Sequence, residues 1–76
     1  MTTEEKLLSV IDQIRVNKQL SEIKTITEHS NLRNDIGFTS FDLAELTVLL
    51  EDEFGIDIFA DGIVSTVGEI LRKLQR

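Results

Sequence analysis

The sequence predicts an all-α fold, a small bundle of three main helices plus a short helical turn. Three observations lead there. Apolar residues recur at helical spacing in three separate stretches. The first and last of these stretches open on capping-box pairs, Thr2 with Glu5 and Thr66 with Glu69. No alternating run is long enough to build a sheet; Ile56-Asp57-Ile58 alternates but is too short to stand alone.

The first helix is expected from about Glu4 to about Val16. Leu7, Ile11 and Ile14 fall on one face with Val10 beside them, and Asp12, Gln13 and Arg15 lie off that face. From Asn17 to Thr39 the helical pattern weakens into a long loop, with one alternative, a turn of helix over Ser21 to Thr27. A loop of that length in a small domain is often functional. Leu32, Ile36 and Phe38 are the residues that pin it to the core. The second helix follows Thr39 and Ser40, either of which suits the N-cap. Its core stripe is Leu43, Leu46, Leu50 and Phe54, and its acids Asp42, Glu45, Asp52 and Glu53 cluster on another side. Phe41, Ala44 and Val48 lie between acids and core on the far flank, while Leu49 falls among the acids, where burial does not explain it. Gly55 ends the helix as a left-handed cap. Ile56, Ile58, Phe59 and Ile63 fill a short segment with one helical turn near Ala60. The last helix starts near Thr66, with Val67, Ile70, Leu71 and Leu74 as its stripe. Arg72, Lys73 and Arg76 near its end suit the helix dipole.

Composition bounds the function. Seventy-six residues make one domain, residues 1–76, and a core of that size leaves a net stability of only roughly 3–5 kcal/mol. There is no cysteine, so a disulfide and a thiolate metal site are both excluded, and any thiol chemistry must arrive on a prosthetic group. The net charge of −6 opposes nucleic acid and anionic membrane and favours partners with basic patches. No apolar run could span a bilayer, and no charged-then-apolar leader opens the chain, so the expectation is a cytoplasmic monomer with no membrane insertion.

The candidate sites are few. Ser40 stands at the mouth of the second helix, after the turn Asp35-Ile36-Gly37. As a plain reading it caps that helix; as a nucleophile it lacks partners, because His29 is the only histidine, lies in the loop, and so small a domain leaves little room for an oxyanion hole. The acids of the second helix are either a solvated face or a docking face. Phe41, Ala44 and Val48 beside them favour docking, since charge steers an encounter and a bordering apolar strip adds modest burial. Glu51-Asp52-Glu53 with Asp57 lacks the ligand spacing of a calcium loop, and no metal site is expected.

The stretch Asp35-Ile36-Gly37-Phe38-Thr39-Ser40-Phe41, with the helix through Glu51-Asp52-Glu53-Phe54, resembles the modification site of acyl carrier proteins. The resemblance covers most of the chain and is specific from Asp35 to Phe54. It implies a carrier, not an enzyme, holding an acyl or aminoacyl group as a thioester on 4'-phosphopantetheine. It implies that Ser40 takes this group from a phosphopantetheinyl transferase using coenzyme A, with no catalytic residue in the chain. Phe41, Asp42, Ala44, Glu45, Val48, Glu51 and Asp52 match positions that meet partner enzymes, the loading and transferring enzymes with basic patches. Leu46, Leu50, Phe54 and Ile58 match residues that line the space where a chain shelters. Thr39 stands where the family usually has aspartate, and Phe41 where it has leucine or methionine. The segment from Ile58 to Thr66 is shorter than in fatty-acid carriers and has no proline. These departures suggest a specialised carrier for a polyketide, lipid-modifying, aminoacyl or other dedicated pathway, with fatty acid synthesis still open. The alternative is an unmodified adaptor that binds partners through its acidic helix.

Overall fold

The computed structural model describes residues 2–23 and 25–75. Three α-helices run through it: α1 over Thr3–Asn17, α2 over Ser40–Phe54 and α3 over Val67–Leu74. Each begins on a threonine. Thr2, Thr39 and Thr66 each accept from the backbone N–H three residues on, and Glu5, Asp42 and Glu69 each return the bond to the cap's own N–H. Reciprocal capping of this kind satisfies two donors that the first turn would otherwise leave open. Gly55 closes α2 in the left-handed conformation, its N–H bonded to the Glu51 carbonyl.

The helices pack α1 against α2 and α1 against α3. Leu7, Ile11 and Ile14 of α1 are buried against Leu46 and Leu50 of α2 and Val67, Ile70 and Leu74 of α3 in one core. Val10, Leu43, Phe54 and Leu71 are partly buried at its margin. The loops supply the rest: Ile26, Leu32, Ile36 and Phe38 before α2, Ile58 and Val64 after it. Leu49, expected among the acids, is partly buried and packs on this core. The core is built by loop residues as well as helices, so α2 meets it over a wider arc than one stripe.

The described residues of 21–27 form no helical turn. The helical turn expected near Ala60 takes the form of two hydrogen-bonded turns, Ala60 N–H to the Asp57 carbonyl and Gly62 N–H to the Phe59 carbonyl. Ile63, grouped with that segment, is 87% exposed. Arg72 and Lys73 stand in the last turn of α3 as expected; Arg76 lies outside the described residues.

The loop between α1 and α2 is strapped down at its middle. Leu32 N–H donates to the Ser65 carbonyl, Val67 N–H to Ser30 and Gly68 N–H to Glu28, and Asn31 and Thr66 form an antiparallel bridge. Gly68 makes this approach feasible: a Cβ there would lie 2.7 Å from the Glu28 carbonyl oxygen, closer than van der Waals contact permits. From Asn31 the chain turns sharply. The Asn31 side-chain oxygen accepts from the N–H groups of Arg33 and Asn34, and its carbonyl from those of Asp35 and Ile36. That turn sinks Ile36 and Phe38 into the core and delivers the chain to the start of α2.

Candidate functional site

Ser40 is the first residue of α2 and is exposed. The cap is Thr39, so Ser40 carries no capping duty, and its hydroxyl has no hydrogen-bond partner among the described residues. Its position at the N-terminal end puts the positive end of the helix dipole behind that hydroxyl.

Asp42 behaves differently from the other acids of α2. It was expected on the docking face, yet it is only 8% exposed. Occupying the N3 position, its carboxylate curls back to the cap. Oδ2 accepts from Thr39 N–H at 2.8 Å, from the Thr39 hydroxyl at 3.0 Å and from Lys18 Nζ at 2.5 Å. Burial alone pushes this carboxyl up. The Lys18 ammonium and the Thr39 bonds outweigh burial, and the net result lies below the ordinary value of 3.8.

A carboxyl whose folded-state pKa is lowered stabilises the fold above its ordinary range, and that stabilisation is lost as pH falls through the folded value. Glu69 shifts in the same direction, held down first by the Ser65 backbone N–H, so the acid limb has two contributors. Asp42→Asn is therefore expected to lower stability at neutral pH and to flatten the decline below about pH 4, the ordinary carboxylate range. Denaturant midpoints from pH 7 down to pH 2 for both proteins check this; parallel curves would remove Asp42 from the acid limb.

Lys18 and Arg15 are the residues that the sequence reading missed. Both stand at the C-terminal end of α1. Lys18 Nζ donates to the Gly37 carbonyl at 3.1 Å as well as to Asp42. The Arg15 guanidinium donates to the carbonyls of Ile36 and Ser21. These partners lie far off in sequence, so no local spacing signals them. Asp42 was detectable: Thr39-x-x-Asp42 is itself a capping-box spacing.

The remaining docking candidates are all on the surface. Phe41 is 88% and Val48 59% exposed, with Ala44 exposed between them. Glu45, Glu51 and Asp52 are exposed and, among the described residues, engaged in no ion pair. Glu53 instead faces Lys6 of α1 at 3.7 Å. An apolar strip and free carboxylates thus share one helix with the exposed serine at its head.

Leu46, Leu50 and Ile58 are fully buried and Phe54 partly so, all within the core. A surface groove of about 520 Å³ runs elsewhere, along α1 past Leu8, Asp12 and Val16, and none of those four residues lines it. No group of three or more His, Cys, Asp or Glu side chains among the described residues is arranged to hold a metal ion. No helix among them is long and apolar enough to cross a membrane.

Comparison with known proteins identifies the family. Residues 11–74 match the family described as phosphopantetheine attachment site. The chain is 38% identical over 71 residues to an acyl carrier protein of Lactobacillus acidophilus, covering 91% of this chain and 88% of the relative. It is 30% identical over 78 aligned positions to an acyl carrier protein of Thermotoga maritima, covering 100% of this chain and 96% of the relative. A third, an acyl carrier protein of Saccharopolyspora erythraea, is 35% identical over 63 residues, covering 80% of this chain and 66% of the relative. The chain therefore belongs to the acyl carrier protein family, whose members are carriers of covalently attached 4'-phosphopantetheine and not enzymes.

Proposed function

We propose that this chain is a single-domain carrier whose Ser40 bears the 4'-phosphopantetheine and presents a thioester-bound acyl or aminoacyl group to the enzymes of one dedicated pathway. The observation that carries the reading is the exposed, uncommitted Ser40 hydroxyl at the head of α2. The residues fit the group. Thr39 takes the cap, so attachment breaks no hydrogen bond of the fold, and the helix N-terminus favours the negative phosphodiester. When bound, the group supplies the thiol that a chain without cysteine lacks.

Partner recognition is assigned to Phe41, Ala44, Glu45, Val48, Glu51 and Asp52. The partners are a phosphopantetheinyl transferase and loading and transferring enzymes with basic surfaces; nucleic acid and membrane insertion are not part of the reading. Asp42 takes a supporting role, because its carboxylate is occupied by Thr39 and Lys18. Thr39 and Phe41 beside the serine support a specialised carrier, and the protein acts as a cytoplasmic monomer. Leu46, Leu50, Phe54 and Ile58 remain the residues that a sheltered chain would have to part, and the full burial of Leu46, Leu50 and Ile58 supports cargo that stays outside the bundle.

Two experiments test this. Incubation with coenzyme A and a broad-range transferase should raise the intact mass by one phosphopantetheine and create a free thiol. Failure of the wild type to be modified would favour the adaptor reading, in which the acidic helix binds partners with no cargo. Reversal of Glu45 and Asp52 to lysine should weaken binding to the transferase and reduce its salt dependence, with the helix intact by circular dichroism. Steering charges are screened beyond about 8 Å in physiological salt, so the contrast should be greatest at low salt. Equal affinity of the double variant at low salt would remove the acidic face from the account.

A further inference from the structure

We propose that Lys18 is a positioning residue for the modification of Ser40: from the end of α1 its ammonium fastens the chain on both sides of the serine, at Gly37 before it and at Asp42 after it. The proposal rests on Ser40 as the attachment site and adds how this fold presents it.

The geometry is specific. A single ammonium reaches the Gly37 carbonyl at 3.1 Å and Asp42 Oδ2 at 2.5 Å. The same Oδ2 accepts from Thr39 N–H and the Thr39 hydroxyl, so the residue directly before Ser40 joins the same knot. Arg15, one helical turn away, holds the neighbouring Ile36 carbonyl. Two consecutive carbonyls of the approach to α2 are thus tied to basic side chains of α1. Ser40 lies inside this frame but outside its bonding, exposed and free.

This arrangement sets Lys18 apart from the other lysines that form ion pairs in the fold. The Lys6–Glu53 and Lys73–Asp61 pairs are longer, at 3.7 and 3.6 Å, each with a well-exposed carboxylate, and exposed pairs contribute little. The Lys18–Asp42 pair is short and largely shielded, and Lys18 adds a backbone carbonyl. Its charge also offsets a carboxylate two residues from the place where a phosphate must approach. In the reaction the Ser40 oxygen bonds to the pantetheine-linked phosphorus of coenzyme A. The pyrophosphate P–O bond breaks, adenosine bisphosphate leaves, and the serine proton passes to a base on the transferase. A nucleophile on a fastened frame enters that geometry with little reorganisation.

The test compares wild type, Lys18→Met, Lys18→Arg and the control Lys6→Met. Each is incubated with coenzyme A and a broad-range transferase at a temperature where circular dichroism shows it fully folded. Initial rates are read by intact mass, and amide exchange is followed at Thr39 and Leu43 and, in the same sample, at Ile70 of α3. Lys18→Met should lower kcat by roughly threefold to thirtyfold with little change in KM, less than the roughly hundredfold that a misplacement of about 1 Å can cost. Lys18→Arg should restore most of the rate, and Lys6→Met should match wild type. Exchange should quicken at Thr39 and Leu43 and not at Ile70. An unchanged kcat overturns the proposal. So does a fall in KM, which would mean that Lys18 masks Asp42 from the transferase, and so does equal loss of protection in α3, which would mean a general structural role. If Lys18→Met does not fold, Asp42→Asn cuts the same tie from the other side; because it also alters the acceptor of Thr39 N–H, it is read by kcat and by exchange at Leu43 against Ile70, and an unchanged kcat or equal loss of protection in α3 again overturns the proposal. An unmodified wild type overturns the attachment reading instead, and the exchange data then still decide whether Lys18 holds the frame.

Discussion

Leu46→Ala is expected to destabilise the protein by roughly 2–5 kcal/mol, the range for emptying a buried leucine site. Leu46 is fully buried at the centre of α2, the helix that packs against α1. Truncation removes the apolar contacts of the side chain and leaves a cavity that the bundle closes only in part. A chain of 76 residues has only roughly 3–5 kcal/mol to lose, so a substantial unfolded population is expected at room temperature. Denaturant titration followed by far-ultraviolet circular dichroism measures it. A midpoint shift within error would mean that Leu46 does not carry the contact between α2 and the core.

Much of this fold was legible because its determinants are local. The Thr2–Glu5 and Thr66–Glu69 pairs lie three residues apart, and they mark the starts of α1 and α3 in the structure. The stripes Leu7-Ile11-Ile14 and Val67-Ile70-Leu74 follow from helical period and are buried. Leu32, Ile36 and Phe38 stood out as isolated apolar residues in a polar loop, and all three are buried. The helical wheel failed where a residue's surroundings are not set by its own helix. Leu49 faces a core extended by loop residues such as Ile58 and Phe38. Asp42 belongs to the acidic side by angle, yet its carboxylate turns back to the cap and to Lys18. Lys18 and Arg15 reach partners that only the folded loop brings near.

The site divides in the same way. Ser40 and its flanking turn were conspicuous in the sequence, as was the combination of acids with Phe41, Ala44 and Val48. Which of Thr39 and Ser40 caps α2 was open, and the bond from Asp42 N–H to the Thr39 hydroxyl answers it at 3.3 Å. That answer sets the expectation for stability. Ser40→Ala should stay within about 0.5 kcal/mol of wild type, as for an exposed residue with no special contact. Thr39→Ala should cost about 1 kcal/mol through loss of the cap.

The covalent consequence of Ser40→Ala is the largest effect expected, because it is all or none. Ser9 lies within α1, and Ser65 lies outside α3, one residue before its cap Thr66. Ser21 and Ser30 sit in the loop, where no helix begins. None of them combines a free hydroxyl at a helix head with the apolar and acidic surface that follows Ser40. The measurement that tests the central claim most directly is the intact mass of wild type and Ser40→Ala after incubation with coenzyme A and a broad-range transferase, with a thiol assay on the same samples. The account predicts one phosphopantetheine and one thiol on the wild type, and neither on a Ser40→Ala protein that remains fully folded. Modification persisting in folded Ser40→Ala would contradict it.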